Sequence, residues 1–250
     1  MANGLGISES IVNAPIGKQA PYWYRSGMGM VPSAEWNVVF DDFNQLFTTN
    51  VPTGWTAAVI DTGATVIQHA TAATHPGTGA VSFVSSTASE GAAIYLPRSV
   101  QLRTGKKCMV EVKVYTDDVT DNALQFGLTD VTATTNPEDL WTTAAANVIA
   151  FGILDGAATT SLLVDEGNGG TSASTGTRSL TAATWHTLAI YYDGVGVYAF
   201  VDGKLSASET TAANIPENDI LLAPFVGALN GNGAGGNLSL CDYIRVISER

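Results

Sequence analysis

The chain has 250 residues, 45% of them hydrophobic and only 14% charged, where about 25% charged is usual. Its 23 Asp and Glu outnumber 11 Lys and Arg, for a formal net charge of −12, and no basic run neutralises phosphates, which argues against nucleic acid and an anionic membrane as main partners. Thr, Ser, Ala, Gly and Asn replace the missing charge, a composition of strands and turns.

Residues 1–37 read as an extended N-terminal arm. Gly4, Gly6, Pro15, Gly17, Pro21, Gly27, Gly29 and Pro32 forbid a long helix or a central strand. Yet the segment carries Tyr22, Trp23, Tyr24, Arg25, Met28 and Met30, an apolar load that disordered tails lack. These six residues are the expected docking residues of the arm. Two surfaces stay open for them: the chain's own body, or a neighbouring subunit. The start, Met1-Ala2-Asn3-Gly4, has neither the basic nor the apolar region of a signal peptide, so folding in a cytosol is expected. No segment reaches the roughly 20 apolar residues that span a bilayer as a helix.

From Trp36 the pattern turns to short strands. They are predicted at 36–40, 55–60, 64–69, 80–84, 92–96, 107–115, 124–128, 148–154, 161–164, 184–192, 195–201, 220–226 and 238–247. The run at 107–115 is the cleanest. Cys108, Val110, Val112 and Val114 alternate with Lys107, Glu111 and Lys113, predicting one buried and one wet face. Residues 136–141, opening Asn-Pro-Glu, suit one helical turn. Gly/Ser/Thr-rich 167–176 and Asn/Gly-rich 229–237 read as loops. Asp193-Gly194 between two alternating runs signals a hairpin, and Asp202-Gly203 a further turn. About a dozen strands without a long helix predict an all-β, two-sheet antiparallel jelly-roll sandwich over residues 38–250.

The segment 184–204 reads Thr-Trp-His-Thr-Leu-Ala-Ile-Tyr-Tyr-Asp-Gly and then Val-Tyr-Ala-Phe-Val-Asp-Gly-Lys. It resembles the laminin G/concanavalin A-like signature. The close at Leu240-Cys241-Asp242-Tyr243-Ile244-Arg245-Val246 and the opening Phe40-Asp41-Asp42-Phe43 are similar to that family's last and first strands. The resemblance covers residues 38–250 and implies the jelly roll. It places Trp185 and His186 in structural positions.

Many enzymes of this fold pair two carboxylates on one strand, and retaining hydrolysis needs them about 5 Å apart. No Glu-x-Asp-x-Glu run exists. Asp117-Asp118, Glu138-Asp139 and Asp165-Glu166 are adjacent, face opposite sides of a strand, and read as solvated turn acids. His69 and His75 lack the further ligands zinc wants, and the Asp-rich turn 117–121 lacks a known calcium spacing. No catalytic residue, metal or cofactor is expected. Cys108 reads as a buried thiol, with a bridge to Cys241 left open. Trp55, Trp141, Trp185 and the tyrosines read mainly as core or edge packing, with sugar stacking as the alternative.

A Gly/Pro-punctuated aromatic arm on a Thr/Ala/Gly-rich jelly roll is also similar to virion proteins of tailed bacteriophages. That resemblance implies a non-enzymatic capsid decoration (cement) protein, assembled in a host cytoplasm, docking on virion subunits through its arm. A homo-oligomer, with a trimer as the guess, is expected. The alternative is a carbohydrate-binding, lectin-like module of a phage adhesin or tail fibre.

Overall fold

A computed structural model describes residues 36–43, 51–52, 54–60, 63–68, 79–130, 147–167, 171–216, 219–231 and 236–249. The six arm residues from Tyr22 to Met30, the turn at 136–141, Trp141, Glu138-Asp139, His69 and His75 lie outside the described residues.

The strands in chain order are β1 (Trp36–Asp41), β2 (Thr56–Ile60), β3 (Thr65–Gln68), β4 (Val81–Val84), β5 (Gly91–Tyr95), β6 (Val100–Gln101), β7 (Cys108–Thr116), β8 (Asn122–Thr129), β9 (Val148–Leu154), β10 (Ala157–Asp165), β11 (Thr171–Ser179), β12 (Thr184–Tyr192), β13 (Val197–Val201), β14 (Lys204–Glu209), β15 (Leu221–Asn230) and β16 (Leu238–Glu249). One turn of 3-10 helix spans Ala212–Asn214. The strands form two antiparallel sheets. Sheet I runs β14-β13-β12-β7-β16-β4-β3, and β1 continues the β4 edge of β16. Sheet II runs β11-β10-β9-β8-β15-β5-β2, and β6 continues the β5 edge of β15. This is the expected two-sheet jelly-roll sandwich.

The core forms where the period-2 faces of the sheets meet. Val110, Val112 and Val114 from β7 pack with Leu188 and Ile190 of β12, Ile244 and Val246 of β16, and Leu124, Phe126, Ile149 and Phe151 of sheet II. Phe126 and Phe151 meet edge to face, ring centroids 6.2 Å apart. The opening motif closes one end. Asp41 accepts hydrogen bonds from the Phe43 amide at 2.8 Å and from Trp55 Nε1 at 2.7 Å, which seats Phe43 and Trp55 in the core.

The hairpins divide differently from expectation. Asp202 and Gly203 both have positive φ (48° and 75°) and directly join Val201 to Lys204, the two-residue turn that a mirror-image type I geometry requires. At Asp193-Gly194 the loop is longer, closed by Asp193 N–H donating to the Gly196 carbonyl at 3.1 Å. There the Asp193 carboxylate accepts from the amides of Val195 and Gly196. Gly194 is needed for space as well as φ, because a Cβ there would lie 2.7 Å from Gly105.

Five expectations are corrected. Residues 167–176 are expected to be loop, but β11 begins at Thr171 and pairs along β10; its Ser/Thr/Gly composition hides an edge strand. Residues 204–209 form β14, and β15 extends to Asn230. Glu111, expected on a wet face, is 1% exposed, with Arg245 paired to one of its oxygens. Asp165 and Glu166, expected to be solvated, are buried, since β10 runs through Asp165.

The cysteines are free and buried. Cys241 stands opposite Val114, six residues along β7 from Cys108, roughly 20 Å at strand rise, too far to bridge. Burial pushes the Cys108 thiol up to about 12 and the Cys241 thiol well up, so both are inert.

Candidate functional site: the outer faces of the two sheets

A sandwich needs one apolar face per sheet, and antiparallel sheets commonly leave the other wet. Here both outer faces are largely apolar and buried.

On sheet II the register lays the outward side chains in rows across the strands. One row reads Thr56, Tyr95, Phe225, Gly127, Ala150, Leu163 and Ala173. The next reads Ala58, Ala93, Gly227, Gln125, Gly152, Ser161 and Thr175. Ala58, Ala93, Tyr95, Val148, Ala150, Leu163 and Phe225 form one buried cluster, separate from the core. Tyr95 and Phe225 stack with centroids 5.7 Å apart. The second row is a trough of small residues, and Gln125 is the one long side chain in it. It stands between Gly227 and Gly152 on the flanking strands. Gln125 is 1% exposed, and neither atom of its amide has a hydrogen-bond partner among the described residues. Gly127 and Gly152 hold β8 and β9 close. A Cβ at either would meet the carbonyl oxygen of Ile149 at 1.9 Å or of Leu124 at 1.8 Å.

On sheet I the outward residues are larger. Met109, Ala189, Tyr191, Phe200 and Ile247 form a buried cluster with Val38, Tyr198 and Leu205 against it. Beside them Arg245 Nη2 donates to Glu111 Oε1 at 2.5 Å, and the Tyr243 hydroxyl donates to the same oxygen at 2.9 Å. Burial raises the Glu111 carboxyl against the opposing pull of Arg245. Glu111 Oε2 and Arg245 Nε have no partner among the described residues. Further along, Lys113 pairs with Asp242 at 2.7 Å and sits 5.1 Å above the Trp185 ring, which packs on Tyr115.

Several further chemistry-bearing groups among the described residues are committed to structure. His186 Nδ1 lies 2.8 Å from Asp202 Oδ2, and its Nε2 accepts from the Thr181 amide at 3.0 Å; the imidazole thus ties strand β12 to the β13–β14 turn. Asp118 caps its own turn by accepting from the Thr120 and Asp121 amides. Asp117 accepts from the Leu238 amide, while partial burial raises its carboxyl. Glu90 accepts from the amides of Ser86 and Thr87, which hold its carboxyl down at about 2. Among the described residues, no three His, Cys, Asp or Glu side chains converge on a metal position.

Sequence reasoning missed Gln125, Glu111 and Arg245. The signal was present only as register: each lies on the outward set of its strand, and its setting comes from the neighbouring strands.

A family model for the concanavalin A-like lectin/glucanases superfamily matches residues 89–239. Among solved structures, peanut lectin with a nine-residue peptide superposes with a TM-score of 0.59 at 11% identity, covering 86% of this chain and 98% of the lectin. A protein of unknown function from Shewanella oneidensis MR-1 gives 0.57 at 12% identity, covering 90% and 92%. An endo-1,3-beta-glucanase from Streptomyces sioyaensis gives 0.53 at 14% identity, covering 88% and 99%. No curated protein matches the chain.

Proposed function

Because the chain belongs to the concanavalin A-like lectin/glucanases superfamily, whose solved relatives include both a lectin and a glucanase, we propose that it follows the binding side of that fold, as a non-enzymatic structural protein of a virion. In this reading it is a capsid decoration subunit. Its N-terminal arm, carrying Tyr22, Trp23, Tyr24, Arg25, Met28 and Met30, docks it on the shell, and it works as a homo-oligomer, a trimer.

One observation carries the non-enzymatic part. A hydrolase of this kind needs two carboxyls about 5 Å apart and open to substrate. The outward residues at the centre of sheet II are Phe225, Gly227, Gln125, Gly127, Ala150 and Gly152, none of them acidic. On sheet I the outward Glu111 is neutralised by Arg245. The low charge and the aromatic arm support assembly as its purpose. The test is protein quantification of purified particles from the phage that encodes the chain. A fixed copy number relative to the main shell protein supports the reading, and absence from the particles overturns it.

A second reading rests on Gln125. The Gln125 amide, in a trough beside the Tyr95–Phe225 stack and with neither atom hydrogen-bonded among the described residues, would supply a donor and an acceptor to a sugar hydroxyl that displaced whatever buries it. A glycan array probed with the full chain separates the two. Binding that Gln125→Leu abolishes favours a carbohydrate-binding module, and an array without hits removes it.

A further inference from the structure

One end of the sandwich carries a cleft of about 470 Å³, within the range of roughly 300–1,000 Å³ that small-ligand sites occupy. Its buried members, Tyr192, Ile215 and Pro216, form the base, and Thr104, Val195 and Asp219 are its exposed rim. The Tyr192 hydroxyl is hydrogen-bonded to Thr104, which ties the end of β12 to the β6–β7 loop. Ile215 is set by the 3-10 turn Ala212–Asn214, through its amide donating to the Ala212 carbonyl at 3.2 Å. Val195 is 65% exposed, yet its loop is fastened twice. The Asp193 carboxylate accepts from the Val195 amide at 2.9 Å, and the Gly105 amide donates to the Gly194 carbonyl at 2.8 Å. An exposed apolar side chain on a fastened loop is a preorganised contact.

The charge around the cleft has one sign. Among the described residues, no Lys or Arg lines it, and Asp219 does. Two further carboxylates stand in the segments that build its walls. Asp193 opens the loop that presents Val195. Glu209 accepts from the Thr211 amide at 2.6 Å and from Asn214 Nδ2 at 3.2 Å, in the turn that presents Ala212. Burial works to raise the Glu209 carboxyl, but hydrogen bonds from Ser172, Thr211 and Asn214 hold it down at about 2. Among the described residues, none of the three acids is ion-paired with a Lys or Arg. Burial and then the Asp193 charge raise the Tyr192 hydroxyl, so the negative field reaches the base of the cleft. An anion is repelled there, and a purely apolar molecule leaves the acidic rim unmatched.

We propose that this cleft binds an alkylammonium group, its stem against Val195, Ile215 and Pro216 and its ammonium on Asp219. The Thr104 and Tyr192 hydroxyls offer further acceptors. Such a group buries its methylenes while keeping its charged head at the water, which suits a base that is apolar and a rim that is acidic. With a pKa of about 10.4 for a lysine-like amine, it is charged at neutral pH. A free aliphatic amine and the lysine side chain of a neighbouring protein share this chemistry. The site lies apart from the Gln125 trough and does not draw on the N-terminal arm.

The experiment titrates the deuterated full chain with butylamine and, separately, with Nα-acetyl-lysine methylamide, following the amide resonances of Thr104, Gly194, Val195 and Ala212. Butan-1-ol, the same stem without the charge, is the control. At least one amine should give saturable shifts at these amides, with several-fold tighter binding than butan-1-ol. The tighter of the two amines names the source, free amine or lysine side chain. Asp219→Asn, at an exposed position where the core is untouched, should weaken that binding several-fold, as should a rise in salt. Absence of saturable shifts with both amines overturns the proposal. So does butan-1-ol binding as tightly as butylamine, or an Asp219→Asn chain that binds as well as the wild type. These titrations use isolated protein, so their failure is separate from failure to find the chain in particles.

Discussion

The outer faces of the two sheets solve one problem with opposite materials. Sheet I buries large side chains, Met109, Tyr191, Phe200 and Ile247, around a charged pair. Sheet II buries mostly small ones around a neutral amide, Gln125. The contrast teaches that a buried polar group costs according to its charge. An ion in a dry place needs its partner, whereas an unpaired amide imposes a smaller, local penalty.

The contrast breaks most visibly at the ion pair. Arg245→Leu leaves Glu111 buried without its countercharge, held by the Tyr243 hydroxyl, and should lower unfolding stability by about 3–5 kcal/mol in urea titrations. Adding Glu111→Leu should recover most of the loss; a double variant no more stable than the single would show that shape, and not charge, holds that face. On sheet II the backbone is the vulnerable part. Gly152→Ala drives a Cβ into the Leu124 carbonyl, for an expected loss of about 1–3 kcal/mol, and wild-type stability in that variant would mean that β8 and β9 separate easily. Gln125→Leu should go the other way, gaining about 1 kcal/mol by removing an unsatisfied amide. A loss instead would mean that the amide is paired in solution.

The smallest effect is pH-dependent and lies at the sandwich end, away from both faces. Amides of Ser86 and Thr87 lower the Glu90 carboxyl from an ordinary 4.5 to about 2. A lowered folded-state value stabilises above pH 4.5, and that contribution fades as pH falls toward 2. Glu90→Gln should therefore be less stable than wild type at pH 6 and equal to it near pH 2. Parallel urea midpoints across that range would contradict the hydrogen-bonded turn.

Inward faces were legible in the sequence and outward faces were not. The alternation of Cys108, Val110, Val112 and Val114 announces a core strand, and Asp202-Gly203 its turn, because both are local signals. Glu111 broke the same alternation: only its pairing across to Arg245, 134 residues on, makes a carboxylate tolerable in the dry. Residues 167–176 looked like a loop because an edge strand needs no apolar residue to hold its ladder. Gln125 gives no local sign at all, since its setting comes from Gly227 and Gly152 on two other strands.

The most direct test of assembly through the arm is the mass of the full chain and of a chain starting at Val38, by light scattering after size exclusion. The account predicts an oligomer, a trimer, for the full chain and a folded monomer once residues 1–37 are gone. Two species of the same oligomeric state would contradict it.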